Sequence, residues 1–135
     1  MSASKADTIA ARCLIMRVRR LNREVSRLYD VEARKYDLTA GRANVLVAVA
    51  TNPGVRASDL VEPMSMEKST LSRNLARLEA DGLIRAETTG RARHLFATPE
   101  GEQKIEDLYD DWESVQRQAE VLLGELAGPL MNLRS

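Results

Sequence analysis

The chain has 135 residues, 44% hydrophobic and 30% charged, with 20 Lys/Arg balanced by 20 Asp/Glu; this fits one globular domain with an added interaction element and does not fit a disordered chain. No run of about 18 apolar residues is present to span a membrane, the N-terminal stretch has no signal-like apolar region, and a lone cysteine forms no internal disulfide, so a cytoplasmic, reducing setting is expected. One His and one Cys leave no zinc set, and no nucleophile–base pair stands out, so neither a metal, a cofactor nor enzymatic activity is expected.

Asp7 and Thr8 are positioned to cap a helix that starts near Ile9 and continues to about Ala33. Within it Leu14, Val18, Leu21, Val25 and Leu28 recur at alternating steps of four and three, which makes one apolar stripe. The other faces carry Arg12, Arg17, Arg19, Arg20, Arg23, Arg27 and Arg34. Thr39 caps a second helix, whose residues 45–50 read as buried, and Asn52-Pro53-Gly54 stops it. A short helix over 57–62 ends at Pro63, and a longer one covers 68–80, with Gly82 as its left-handed terminator.

Residues 83–88 and 93–97 read as two short strands around the polar turn Thr89-Gly90-Arg91-Ala92. Thr98 and Pro99 then open a last helix. Along it Ile105, Leu108, Trp112, Val115, Ala119, Leu122 and Leu126 alternate steps of three and four, the pattern of a helix–helix seam. Gly124 or the Gly128-Pro129 pair breaks this helix. A chain this small cannot bury two long stripes internally, so a homodimer is expected.

The charge balance hides a gradient. Residues 1–48 carry ten basic and five acidic side chains, 49–98 seven and six, and 99–135 three and nine. Because charges beyond a Debye length are screened, the local face decides what the protein meets, not the sum.

The element order is that of a winged helix-turn-helix, mainly α with a small β-hairpin wing. In the helix over 68–80, Leu71, Leu75 and Leu78 form the anchoring face, leaving Lys68, Ser69, Thr70, Ser72, Arg73 and Arg77 outward with no acid between 68 and 78. A major groove accepts such a helix, because arginine reads guanine edges and hydroxyls reach phosphates. Arg91 and Arg93 extend the basic surface into the hairpin, where Arg91 at the tip suits a minor groove. A solvated helix face or an ordinary wing residue is the plain alternative for each of these, and it is the reading preferred for His94.

The stretch PGVRASDLVEPMSMEKSTLSRNLARLEADGLI at 53–84, followed by a hairpin with arginine at its tip, strongly resembles the MarR family of bacterial transcriptional regulators. The resemblance extends from the arginine-rich first helix to the TPEG that opens the last one. It implies a homodimer with a dimerisation helix over 1–36, a DNA-binding lobe over 37–98 and one or more dimerisation helices over 99–135. It also implies a pseudo-palindromic duplex DNA site and a repressor released by a small, often aromatic, effector.

Three positions depart from the family pattern. Thr89 stands where the wing commonly has an acid, Pro63 where a helix former is usual, and Arg56 where Ser or Thr often caps the short helix. The resemblance also raises a thiol-based redox role for Cys13, since one branch of the family senses peroxides through a cysteine early in the first helix, held by tyrosines; Tyr29 and Tyr36 follow here. The plain alternative is a small apolar residue shielded in the dimer, as free cysteine usually is. A winged-helix module for protein–protein contact is the alternative to DNA binding.

Overall fold

The computed structural model describes residues 2–133. In chain order it contains α1 (Lys5–Arg12), α2 (Leu14–Ala33), α3 (Ala40–Thr51), α4 (Val61–Met64), α5 (Lys68–Ala80), β1 (Ile84–Thr89), β2 (Ala92–Ala97), α6 (Pro99–Leu123) and α7 (Ala127–Met131). Single 3-10 turns lie at Arg34–Tyr36, Ala57–Asp59 and Gly124–Leu126. The fold is thus mainly helical with one antiparallel hairpin, as the sequence predicts. Among the described residues no helix is long and apolar enough to cross a membrane.

The core lies where α3, α5 and the base of the hairpin meet, and it is aliphatic: Val45, Leu46, Val49, Leu71, Leu78 and Ile84 are fully buried. Each such side chain contributes about 1.5–3 kcal/mol relative to exposure. In the 45–50 run, Val47 is 39% exposed, so that helix has a wet face where the sequence reads as wholly buried. The hairpin is in register from Ile84 opposite Ala97 to Thr89 opposite Ala92. Its two-residue turn, Gly90-Arg91, is tighter than the four-residue turn predicted and puts Gly90 at φ 62°, which glycine adopts at no steric cost. Val55 bridges Leu95 from the other side, and His94 Nδ1 donates to the Gly54 carbonyl.

Caps fix several boundaries. Thr39 accepts from the Arg42 N–H, and Thr98 accepts from the Gly101 N–H. The start of α6 is also stitched to the end of α5: the Thr98 N–H donates to the Leu83 carbonyl and its hydroxyl to the Gly82 carbonyl. Gly101 lies so near this junction that a Cβ on it would stand 2.1 Å from the Leu83 oxygen.

Three expectations need correction, and one open alternative is resolved. The first helix is not continuous. Ser4, in a capping box with Asp7, starts α1, and Cys13 interrupts the path in an extended conformation at ψ 115°. The Arg17 guanidinium donates to the carbonyls of Ala10, Ala11 and Cys13, which satisfies groups that the break releases. Pro63 does not end the short helix either. It lies in the first turn of α4, where no N–H is required, and Ser65 at φ 50° ends the helix instead.

Of the two candidate breaks near the C-terminus, Gly124 ends α6 at φ 55°, while Gly128 and Pro129 lie inside α7. Lastly, the α6 seam is divided. Val115 and Ala119 are buried, and Ile105 and Leu108 pack against the core, whereas Trp112, Leu122 and Leu126 are 41%, 50% and 55% exposed.

Candidate nucleic-acid interface and adjoining cleft

Helix α5 spans 68–80 as predicted, and its register sorts the side chains. Leu71, Leu75 and Leu78 are buried, while Lys68, Ser69, Ser72, Arg73 and Arg77 are exposed and Thr70 is half-buried. The apolar face therefore fixes the helix on the core, and the hydroxyls and basic groups face away from it. Arg73 is steadied by its own helix, donating to Thr70 Oγ1 one turn back.

Two of the basic groups are already engaged by acids. Arg77 Nε lies 3.0 Å from Asp81 Oδ2, and Arg93 Nη2 lies 2.6 Å from Glu79 Oε2. Between Thr88 and Thr98 the sequence holds no acid beside Arg91, Arg93 and His94. The acid comes from across the fold, 14 residues back on α5. The pair is more than a third exposed on both sides, so its worth is small, about 0–1 kcal/mol. Its geometric effect is larger: it joins the hairpin to α5 and holds Arg93 as a strap between them. Arg91 stays at the exposed tip. At the strand base Arg85 stacks 4.6 Å over Phe96 and pairs with Glu87.

A second feature lies between α2, α3 and α6, a small, open cleft of about 40 Å³ lined by Tyr29, Glu32, Tyr36, Asn44, Asp111 and Trp112 over an alanine and valine floor. Tyr36 donates its hydroxyl to Asp111, and Tyr29 donates to Gln116 Oε1 at 2.5 Å. The hydrogen bond to Asp111, burial, and the negative charge of Asp111, Asp107 and Glu32 push the Tyr36 phenol up to about 12. Glu32 Oε2 is 2.6 Å from Lys35 Nζ. Trp112 lies 5.8 Å from Tyr109. The sequence favours seam packing over a ligand cage for Trp112 and Tyr109; the fold puts Trp112 on the wall of the cleft. The seven-residue step from Tyr29 to Tyr36 was the available signal, since it brings both rings to one side of the chain.

Cys13 is half-exposed at the break between α1 and α2. The two tyrosines proposed as its companions are committed to α6 through Asp111 and Gln116. Among the described residues no group of His, Cys, Asp and Glu could hold a metal.

Residues 36–93 match a MarR family model. The Transcriptional regulator HosA of Escherichia coli O111:H- is 36% identical over 95 residues, 68% of each chain. Two other HosA sequences are matched over 53% and 52% of their own length, so the chain spans about half of them. The Mycobacterium tuberculosis regulator MosR, solved in complex with DNA, is 25% identical with a TM-score of 0.73 over 84% of both chains. Bordetella bronchiseptica BpsR, whose DNA binding is regulated by 6-hydroxynicotinic acid, superposes at a TM-score of 0.77 over 90% of both chains; at 18% identity it speaks for the fold alone.

Proposed function

The chain belongs to the MarR family of transcriptional regulators, and from that premise we propose that it binds duplex DNA as a homodimer and acts as a repressor released by a small effector. One observation carries the DNA reading: α5 buries its leucines and turns Lys68, Ser69, Ser72 and Arg73 outward, with Thr70 at the edge. In this reading α5 enters the major groove, Arg73 contacts a base edge, and Lys68 with the hydroxyls contacts phosphates. Arg91 reaches the minor groove from the wing tip. Arg77 and Arg93 contact DNA only by leaving Asp81 and Glu79, which phosphates can compete for.

The dimer would be built from residues 1–36 and 99–135 around the lobe at 37–98. Leu14, Val18, Leu122 and Leu126, all more than 49% exposed in the single chain, supply its apolar surface. Two-fold symmetry then demands a pseudo-palindromic site with half-sites about 34 Å apart. The cleft between α2, α3 and α6 is the effector site in this reading, since it joins the dimerisation helices to the lobe. Selection of bound sequences from a random duplex library tests the whole: enrichment of an inverted repeat is the expected result. Recovery of no sequence, with no retention on any duplex at low salt, would refute it in favour of a protein-binding module.

A further inference from the structure

If the cleft is the effector site, its chemistry specifies the effector's charge. We propose that the cleft between α2, α3 and α6 selects a small planar organic cation, such as an aromatic amine or amidine, and rejects organic anions of the same shape. The inference rests on the effector-site reading above and adds the ligand class.

The wall has two carboxylates, Glu32 and Asp111, and no Lys, Arg or His side chain. Lys35 pairs with Glu32 and its charge also reaches Asp111, so one cation faces two carboxylates and Asp107 adds to their sign. The Tyr36 phenol is raised chiefly by its hydrogen bond to Asp111 and by burial, with the negative charge of Asp111, Asp107 and Glu32 acting in the same direction.

Hydrogen-bond accounting gives the same answer. An incoming carboxylate needs donors, yet both tyrosine hydroxyls are spent, Tyr36 on Asp111 and Tyr29 on Gln116. Only the Asn44 amide and the Trp112 indole N–H are left among the lining side chains. Two neutral donors do not offset the loss of water around an anion placed beside Asp111. A cation instead meets an open carboxylate oxygen on Asp111 and the faces of Tyr29 and Trp112, which attract positive charge. Rejection of the anion is as much a part of selectivity as attraction of the cation.

The chain provides its own reporter, since Trp112 lines the cleft and is the single tryptophan. Benzamidine, benzamide and benzoate share one planar shape and differ in charge. Titrated against the full chain without DNA, benzamidine should change Trp112 emission saturably, with a dissociation constant at least ten-fold below that of benzoate and benzamide in between. Asp111→Asn keeps an acceptor for Tyr36 and should reduce the benzamidine–benzoate ratio to three-fold or less; Glu32→Gln should lower it in the same direction. A benzoate constant equal to or below that of benzamidine, an Asp111→Asn variant with the wild-type ratio, or no response to any of the three would overturn the proposal. Retention of the unliganded chain on DNA, measured in parallel, reports on the regulator reading alone, so failure of one is distinguished from failure of the other.

Discussion

At the scale of single residues, the candidate interface depends on which basic groups are free. Arg73 is held only by a neighbouring hydroxyl, so it can trade that contact for a guanine edge without breaking an ion pair. Arg73→Ala is expected to weaken binding to the selected site by about 1–3 kcal/mol while leaving nonspecific binding nearly intact. Lys68, at the first turn of α5, meets phosphate in this reading, and Lys68→Ala should weaken all sequences alike and flatten the salt dependence by about one counterion. Fluorescence anisotropy on selected and scrambled duplexes separates the two patterns, and wild-type affinity in both variants would mean that another surface reads the DNA. Cys13 belongs to the same scale. It sits at a helix break with neither tyrosine free to hold it, so Cys13→Ser should bind DNA like wild type and mild peroxide should leave wild-type binding unchanged. Release by stoichiometric organic hydroperoxide, absent in Cys13→Ser, would establish a thiol switch instead.

At the scale of elements, the start of α6 packs closely against Leu83, just past the end of α5. A methyl group at Gly101 would enter the Leu83 carbonyl at 2.1 Å, and backbone cannot retreat as a flexible side chain can. Gly101→Ala should therefore lower stability by about 1–3 kcal/mol or more, read as a fall in the urea midpoint; an unchanged midpoint would contradict the close approach. Elements defined by nearby residues were legible in the sequence. The span of α5 follows from its leucine spacing, and α6 begins where Thr98 and Pro99 place it. What depends on distant partners was not. The break at Cys13 was not read either, although the Arg17 side chain that satisfies its freed carbonyls is only four residues away. The apolar stripe from Leu14 to Leu28 continues the helical period without marking a cap. Nor does the hairpin's own sequence reveal that Glu79 will meet Arg93. Periodicity finds the α6 seam but cannot say that half of it is filled by this chain's own core.

At the scale of the whole molecule, that divided seam determines how a dimer can be tested. Leu108 packs against the core, so a charge there would unfold the chain and mimic dissociation. Leu122 is 50% exposed in the single chain and is the better probe. Wild type should sediment at twice the chain mass at micromolar concentration. Leu122→Glu should shift it toward the monomer with its helical circular dichroism unchanged. A monomeric wild type would refute the dimer and, with it, the demand for an inverted repeat.

Helix α6 has one further mechanical consequence. It has 25 residues, a rod of about 37 Å at ~1.5 Å per residue. One end is fastened through Thr98 to Gly82 and Leu83, just past α5, and the other reaches the exposed leucines. Such a rod is a lever with the cleft beside its middle. A tilt of about 5° moves its end by about 3 Å, a tenth of the ~34 Å interval between successive major grooves. In the effector reading proposed above, a ligand wedged in the cleft would not need to reshape the reading surface; a small rotation of the rod would put the two surfaces of the proposed dimer out of step with the pitch of the duplex.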